Sequence, residues 1–305
     1  MTVPAAGISR NAADNREGAL IRLIIDAHTH IFPPDVIERR EMFAKRDSSF
    51  DFIYSNPKAR MVTHQGLIEK MDSAGVDRAI VCGFPWRSLD MCRNHNTYMM
   101  EAVAAHPDRL IGLAMTNPVA GKASDIELDR CFEGGLSGVG EISADAQGFR
   151  LDDTGTTGRI AAAVEEAGLF MLLHVNEDVG HFYPGKTATT PAPVYRFLEK
   201  FPDTVAILAH WGGGLFFYEL MPEVAKVTSS VYYDTAASPF LYRPAIYKAA
   251  VDIVGPGRIL FGTDFPLLKM QRHLDEVEAA GLADDAKAAI LGRNALALLG
   301  HRFEG

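Results

Sequence analysis

Short apolar runs alternate along the chain with stretches of helical periodicity, and this alternation is the main structural signal. The runs are rich in Ile, Val and Leu and lack a helical period, which is typical of strands buried on both faces. They cover residues 23–27, 78–83, 109–114, 137–142, 169–174, 205–210, 231–234 and 258–261. Helical segments follow at residues 63–74, 88–105, 124–133, 159–167, 193–200, 216–225 and 244–254, with two or three more helices over 273–299. The pattern predicts parallel strands that are each followed by a helix.

About eight such units favour a closed (β/α)8 TIM barrel over an open α/β sheet. A barrel of this kind takes about 250 residues as one domain, and the chain has 305 residues. A nucleotide-binding open sheet would show a G-x-G-x-x-G turn after the first strand, and the sequence after residue 27 has none. We therefore expect one barrel domain over residues 23–305, with extra helices at its carboxyl end.

Two segments lie outside the repeat. Residues 1–22 are mixed and polar, and we predict that they form a flexible leader rather than a signal peptide. Residues 31–66 form a long connection with three prolines and several aromatic residues. Long loops in compact domains are usually functional, so this insert after the first strand is predicted to fold over the active site, or to serve as a packing flap.

Composition narrows the partners and the compartment. The net charge is −9 and no run of Lys or Arg occurs, which argues against a nucleic-acid partner. No stretch is apolar over the length that a membrane span needs. Cys82, Cys92 and Cys131 are scattered, without a Cys-x-x-Cys pair, and this pattern is typical of a reducing, cytoplasmic environment.

Polar residues stand where the predicted strands end, which suggests a metal centre. His28 and His30 are two positions apart, so an extended chain points both imidazoles to one side. Parallel barrel strands all end on one face, and that face holds the active site. The residues found at these ends are His28, His30, Glu141, His174, His210 and Asp264. Taken singly, each of these residues has a plainer interpretation, as a histidine of the core or as an aspartate that caps a turn. Together they predict a site for a zinc ion, with manganese or iron as alternatives.

The motifs DAHTH followed by IFPP, LLHVN, LAHWGG and FGTDFP occur in this order over residues 23–299. In these motifs the chain resembles the amidohydrolase superfamily, within the branch that includes aminocarboxymuconate semialdehyde decarboxylase. The resemblance implies that His28, His30, His174 and Asp264 bind one divalent metal ion. It also implies that His210 orients or deprotonates the water molecule that the metal activates, and Asp264 is a second group able to accept a proton.

Glu141 departs from the pattern of many superfamily members, which carry a carboxylated lysine on strand four between two metal ions. A Glu at this position can bridge two ions in TatD-type DNases, but LAHWGG and FGTDFP match the decarboxylase branch better. We therefore expect one ion, with Glu141 beside it among the residues that contact substrate.

Other substrate contacts are expected near the strand ends. Arg87, after strand two, suits a bidentate grip on a carboxylate, although it could equally be a surface arginine. His181, Tyr183 and Lys186 lie in the loop after strand five. Trp211, next to His210, could stack on a planar substrate or pack against the barrel rim.

Two reactions fit the same site. The main expectation is a hydrolase in which activated water attacks a small-molecule lactone, amide or related carbonyl compound. The alternative is a non-oxidative decarboxylase (carboxy-lyase) acting on a small aromatic or unsaturated acid. A TatD-like nuclease with two metal ions and a catalytically inactive binding barrel are further alternatives. Barrels of this kind often pair, so a homodimer is expected, although no stretch marks an interface.

Overall fold

The computed structural model describes residues 23–300, which form eight strands and the helices between them. The strands β1 to β8 are Ile25–His30, Arg78–Cys82, Leu110–Gly112, Gly138–Ile142, Phe170–Leu173, Ala206–Leu208, Val231–Asp234 and Ile259–Leu260. The first eight helices, α1 to α8, are Pro34–Glu38, Arg40–Ala44, Ser48–Tyr54, His64–Ala74, Leu89–Ala105, Lys122–Glu133, Ala144–Gln147 and Thr154–Glu166. Helices α9 to α15 are Pro191–Lys200, Pro222–Val227, Ser238–Leu241, Ala245–Val254, Met270–Ala279, Asp284–Ala288 and Asn294–Leu299. The predicted leader, residues 1–22, lies outside the described residues.

The strands close into a barrel. Strands β1 to β3 pair in parallel, as do β4 to β8. The two groups are joined by a parallel bridge between Ala114 and Val139 and by another between Thr29 and Phe265. The amide of Ala27 also donates to the carbonyl of Phe261, at 2.7 Å. The predicted (β/α)8 barrel is therefore confirmed.

Alternate residues of the strands fill the barrel interior. Side chains at alternating positions point to opposite faces, so each strand contributes one set to the inside and one to the helices. The inner set includes Ile25, Ala27, Ile80, Cys82, Ile111, Leu113, Phe170, Leu172, Ile207, Ala209 and Leu260. Ala295 and Leu299 of α15 join this cluster, so this carboxyl-terminal helix packs against the barrel interior. The polar residues lie on the opposite face of the barrel, where the strands have their carboxyl ends.

The insert after β1 folds as three short helices, α1 to α3. Its aromatic residues form a separate apolar cluster with the segment after β2, in which Phe50 stacks on Trp86 with ring centroids 4.9 Å apart. His95 of α5 secures this cluster: its Nδ1 accepts from Nε1 of Trp86 at 3.0 Å, and its Nε2 donates to the carbonyl of Ile31 at 2.8 Å. Burial lowers the pKa of His95 to about 4, so the ring is neutral.

The helix predicted over residues 216–225 is only partly correct. The 3₁₀ segment His210–Leu220 is interrupted at residues 211–214, and α10 begins at Pro222. Residues 211–214 adopt left-handed backbone angles, which the three glycines at 212–214 permit. In residues 23–300, no helix is both long and apolar enough to cross a lipid bilayer.

Candidate metal centre

The centre begins on β1, where His28 and His30 project from the same side of the strand. Their Nε2 atoms lie 3.1 Å apart. The other nitrogen of each ring faces an acceptor: Nδ1 of His28 donates to Oδ2 of Asp234 at 2.8 Å, and Nδ1 of His30 donates to the carbonyl of Gly83 at 3.3 Å. With a proton on Nδ1, each neutral ring presents the lone pair of its Nε2 atom to the barrel mouth, which is the form that binds a cation.

His174 and His210, which follow β5 and β6, are held in the same manner. Nε2 of His174 lies 3.0 Å from both Oδ1 of Asn176 and the carbonyl oxygen of Gly185, so it carries the ring proton. Nδ1 of His210 donates to the carbonyl of Ala236 at 3.2 Å. The other two nitrogens, Nδ1 of His174 and Nε2 of His210, lie 3.2 Å apart.

Glu141 of β4 lies between these two pairs of histidines. Its Oε1 is 2.8 Å from Nδ1 of His174 and 3.6 Å from Nε2 of His210. Its Oε2 is 3.6 Å from Nε2 of His30 and 3.7 Å from Nε2 of His28. The carboxylate is buried and contacts all four imidazoles, so its position is central rather than peripheral.

Asp264 follows β8 and completes the set. Its Oδ1 lies 3.3 Å from Nε2 of His30 and 3.9 Å from Nε2 of His28. Its backbone is left-handed, with a φ of 58°, and its amide donates to the carbonyl of His28 at 2.9 Å. His210 has the same unusual backbone, with a φ of 58°. Left-handed angles at residues other than glycine are unfavourable and occur often at functional sites.

The arrangement fits a divalent cation. Neighbouring imidazole nitrogens repel at such distances unless a proton or a metal ion lies between them, and nitrogen and carboxylate donors are typical of zinc and manganese sites. The carboxylates also require positive charge. Burial alone would raise the pKa of Glu141, but His174 and His28 hold it well below its usual range. Burial likewise opposes ionisation of Asp264, yet the hydrogen bond to His30 and the charge of His28 lower its pKa.

The comparisons with known proteins support this description. The family model for amidohydrolases matches residues 25–301. The chain belongs to the amidohydrolase family. The superfamily predicted from the motifs is therefore confirmed, and with it the prediction that this protein is an enzyme.

A curated relative is the 6-methylsalicylic acid decarboxylase of Penicillium expansum, 28% identical over 137 residues. The alignment covers 38% of this chain and 41% of that protein, so the chain matches less than half of the relative's length. Among solved structures, a 5-carboxyvanillate decarboxylase from Sphingomonas paucimobilis has a TM-score of 0.75 at 18% identity, covering 91% of this chain and 99% of its own. A dihydroxybenzoic acid decarboxylase from Polaromonas, solved with manganese and 2-nitroresorcinol, has a TM-score of 0.69 at 19% identity and covers 92% and 97%. At these identities the solved structures support the fold.

Six side chains of this amidohydrolase, among them the four expected ligands of one ion, fall into two neighbouring groups. One group contains His28, His30 and Asp264, and the other contains Glu141, His174 and His210. Within each group the ligand atoms lie within 4.8 Å of one another. Three of the four expected ligands therefore stand together, while His174 stands next to Glu141.

Trp211 packs into the wall of the amidohydrolase fold, in line with the second of the two alternatives expected for it, and its contact with substrate stays a prediction. Its side chain is fully buried, its Nε1 donates to Oγ of Ser238 at 2.8 Å, and its ring meets Tyr247 edge-on at 5.1 Å. The left-handed turn directs it into the wall. A Cβ on the neighbouring Gly213 would lie 2.3 Å from the carbonyl oxygen of Asn176, so glycine is required for this close approach.

Arg87 and Lys186 line one cavity of about 310 Å³ between α3 and the loop after β5. Nη1 of Arg87 donates to Oγ of Ser48 at 3.3 Å, and within residues 23–300 no carboxylate lies within ion-pair distance of Arg87. Nζ of Lys186 donates to the carbonyl of Val179 at 2.6 Å. Gly185 also lines this cavity and contacts His174, so the cavity borders the metal centre.

The other two expected substrate contacts, Tyr183 and His181, lie in different surroundings. The hydroxyl of Tyr183 accepts from Nδ2 of Asn176 at 3.0 Å and donates to Oε2 of Glu177 at 3.0 Å, so Tyr183 is linked to His174 through Asn176. His181 is exposed, with its ring 5.6 Å from that of Tyr183.

Three polar groups of the amidohydrolase site were not predicted. Asp234 orients His28 and also accepts from the amides of His210 and Ala236, at 2.9 and 3.0 Å. It ends a predicted strand, so the argument used for the histidines could have found it. Asn176 and Tyr54 carry no comparable signal. Burial, followed by the charges of Asp264 and Glu141, raises the pKa of Tyr54, which indicates that its phenol lies near the centre.

Proposed function

We propose that this amidohydrolase is a metal-dependent, non-oxidative decarboxylase of a small aromatic carboxylic acid. The observation that carries the proposal is a buried centre with inward-facing imidazoles and carboxylates in a fold whose solved neighbours are named as decarboxylases of aromatic acids. The curated relative, aligned over part of its length, is also named as a decarboxylase of such an acid. These findings favour the second of the two reactions expected from the sequence over hydrolysis.

A divalent ion is proposed to bind to His28, His30, His174 and Asp264. When bound, it would supply positive charge that holds the substrate carboxylate and stabilises the negative charge of the transition state. Zinc is the proposed ion because the ligands are rich in imidazole. Manganese is the alternative, and the solved Polaromonas enzyme, which holds manganese, supports it.

His210 is proposed to handle the proton. In decarboxylation the bond between the ring carbon and the carboxylate carbon breaks, its electron pair stays on the ring carbon, that carbon takes a proton, and carbon dioxide leaves. The ring of His210 is fixed through Nδ1 and the carbonyl of Ala236, so Nε2 is the atom that delivers the proton. Asp264 is a second group that can hold a proton at this position.

Substrate binding is proposed at the cavity beside the centre. Arg87 and Lys186 supply positive charge there, and the aromatic side chains of the insert supply apolar surface. Tyr183 is proposed to contact the substrate from the loop after β5. Glu141 is proposed to contact the cation rather than the substrate. His181 is also proposed to contact the substrate, from an exposed position on this loop.

We also propose the cellular compartment and the oligomeric state of the enzyme. Cys82, Cys92 and Cys131 are free and buried, which supports a reducing compartment and hence the cytoplasm. Exposed apolar side chains at Phe217 and Leu220 support a homodimer, which light scattering would test.

The test is product analysis on the metal-loaded enzyme. Protein stripped with a chelator and reloaded with Zn²⁺ or Mn²⁺ is given a panel of hydroxybenzoates and, separately, a panel of lactones and amides. We expect release of carbon dioxide from at least one hydroxybenzoate and, in D₂O, one deuterium on the carbon that lost its carboxylate. His210→Gln should lower turnover about 100-fold or more, the range of general acid–base catalysis. Hydrolysis of a lactone or amide without release of carbon dioxide would overturn the proposal and restore the hydrolase.

A further inference from the structure

Asn176 lies two residues after His174 and is fully buried in the wall of the barrel. Its backbone is fixed on both sides. Its amide donates to the carbonyl of Thr189 at 2.9 Å, and its carbonyl oxygen lies so close to Gly213 that a Cβ there would be 2.3 Å away. The side chain of Asn176 therefore starts from a rigid position, and each of its polar atoms has a specific partner.

The side-chain oxygen of Asn176 accepts from three groups. The amide of Thr187 donates to Oδ1 at 2.6 Å, and the Thr187 hydroxyl donates to it at 3.0 Å. Since a backbone amide can only donate, this atom is the oxygen of the side chain and not its nitrogen. Nε2 of His174 lies 3.0 Å from the same oxygen and 3.0 Å from the carbonyl oxygen of Gly185. Both neighbours of Nε2 are acceptors, so this nitrogen carries a proton whether the ring is neutral or charged.

The side-chain nitrogen of Asn176 binds the same loop on the other side of Gly185. Nδ2 donates to the hydroxyl of Tyr183 at 3.0 Å, and that hydroxyl donates to Oε2 of Glu177 at 3.0 Å. Asn176 thus binds the loop at residues 183 and 187, which flank Gly185. One side chain therefore holds both acceptors of the His174 proton, its own oxygen directly and the carbonyl of Gly185 through the residues on either side.

This arrangement sets the orientation of the His174 ring. The group that accepts the second ring proton of a ligand histidine fixes the ring and the nitrogen that faces the metal ion. With the proton on Nε2, the other nitrogen of His174, Nδ1, faces the centre and lies 2.8 Å from Oε1 of Glu141. His28 has the carboxylate of Asp234 as its partner, whereas Nε2 of His174 faces two neutral acceptors. A neutral acceptor orients a ring but raises its basicity less than a carboxylate does.

We propose that Asn176 is a positioning residue, which fixes the imidazole of His174 so that Nδ1 is the atom presented to the cation. The inference rests on the proposed function in one point, that His174 is a ligand of the cation. Loss of the Asn176 amide should release both acceptors at once, because the loop loses its attachment on each side of Gly185. The ring of His174 is then free to turn, and its Nε2 proton exchanges with water.

The first experiment compares Asn176→Leu, which removes both polar atoms, with Asn176→Asp, which keeps an acceptor oxygen. Competition against a chromophoric chelator gives the Zn²⁺ affinity of each folded variant. We expect Asn176→Leu to lose about 10- to 100-fold in affinity, the range found when the partner of a ligand histidine is removed. Asn176→Asp should bind Zn²⁺ at least as tightly as the wild type, because a carboxylate partner raises the basicity of the ring.

A measurement on the metal-free protein separates positioning from stability. ¹H–¹⁵N NMR should show a slowly exchanging Nε2 proton of His174 in the wild type and in Asn176→Asp, assigned by its loss in His174→Ala. The signal should be absent from Asn176→Leu. The matched control is Asn96→Leu, because Asn96 is also a buried asparagine and its side chain bonds to Met115 and Glu127. Asn96→Leu should keep the wild-type Zn²⁺ affinity and the Nε2 signal.

If Asn176→Leu fails the folding check by circular dichroism, Asn176→Ala carries the test, because it removes the amide without adding bulk. A folded variant that retains the Nε2 signal would overturn the proposal. So would wild-type affinity in that variant when His174→Ala binds Zn²⁺ weakly. If His174→Ala binds Zn²⁺ as tightly as the wild type, the ligand assignment in the proposed function fails, and the NMR signal still decides the role of Asn176. The two failures are therefore distinguishable.

Discussion

Replacing Asp234 by Asn is the sharpest test of how the centre is organised. Asp234 is fully buried, and its Oδ2 accepts the Nδ1 proton of His28 at 2.8 Å. In the variant, Oδ1 can still accept from the amides of His210 and Ala236, which places the new NH₂ group against His28. Two donors then face each other, and His28 relieves the conflict by moving its proton to Nε2. The lone pair that should bind the cation is lost.

The size of the effect follows from the role of such partners. Removing the group that orients a ligand histidine typically costs 10- to 100-fold in metal affinity, or about 1.4 to 2.7 kcal/mol. At a metal concentration of about 100 times the wild-type Kd, binding stabilises the folded wild type by about 2.7 kcal/mol. The same concentration should stabilise Asp234→Asn by only about 0.4 to 1.4 kcal/mol.

The assay combines competition against a chromophoric chelator with urea denaturation in the presence and absence of Zn²⁺. Asp47→Asn is the control, because Asp47 is also a buried carboxylate that accepts backbone amides, those of Ser49, Phe50 and Arg87, but contacts no imidazole. Its metal affinity should match the wild type. A folded Asp234→Asn protein with metal affinity within twofold of the wild type would refute the argument that this carboxylate sets the proton position on His28.

Three further predictions concern the substrate cavity, the wall and the insert. Arg87→Gln should raise KM for an aromatic acid about 10- to 100-fold with little change in kcat, because one charged hydrogen bond to the substrate is lost. The control is Lys248→Gln, a change at an exposed lysine, which should leave KM unchanged. Equal KM values in the two variants would remove Arg87 from the binding site. Trp211→Phe should lower the free energy of unfolding by about 1 to 3 kcal/mol, because the hydrogen bond to Ser238 is lost and the packing is reduced. The variant should leave KM unchanged. A tenfold rise in KM would return Trp211 to the substrate site. Because the pKa of His95 is about 4 in the folded protein and about 6.5 when unfolded, its contribution is complete above pH 6.5 and is lost as the pH falls towards 4. Urea denaturation should therefore show the wild type losing about 1.6 kcal/mol more than His95→Gln between pH 6.5 and 5, and parallel losses would contradict this.

Much of the centre was predictable from sequence because the barrel imposes a simple rule. Parallel strands end on one face, so polar residues that follow apolar runs must meet there. His28, His30, His174, His210 and Asp264 were found in this way. Asp234 obeys the same rule at the end of the seventh predicted strand, but it was not predicted as a site residue.

Other features depended on distances that no local pattern encodes. The sequence places Glu141 at a strand end, but only the fold shows that its two oxygens face different histidines. Trp211 stands beside His210 in the chain, yet the left-handed turn sends the two side chains to different environments. Tyr54 lies in an irregular insert, and its approach to the centre depends on how α3 packs against the segment after β2.

The sequence by itself determined the periodic elements, the barrel class and the family, because hydrophobic period and motif order are local properties of the chain. The tertiary structure alone decided which acceptors the nitrogens of each histidine face and how the carboxylates divide among the imidazoles. The physical reason is that these choices are set by acceptors far away in sequence, such as Asp234 for His28, 206 residues apart. They exist only once the barrel has closed and brought those acceptors within hydrogen-bond distance.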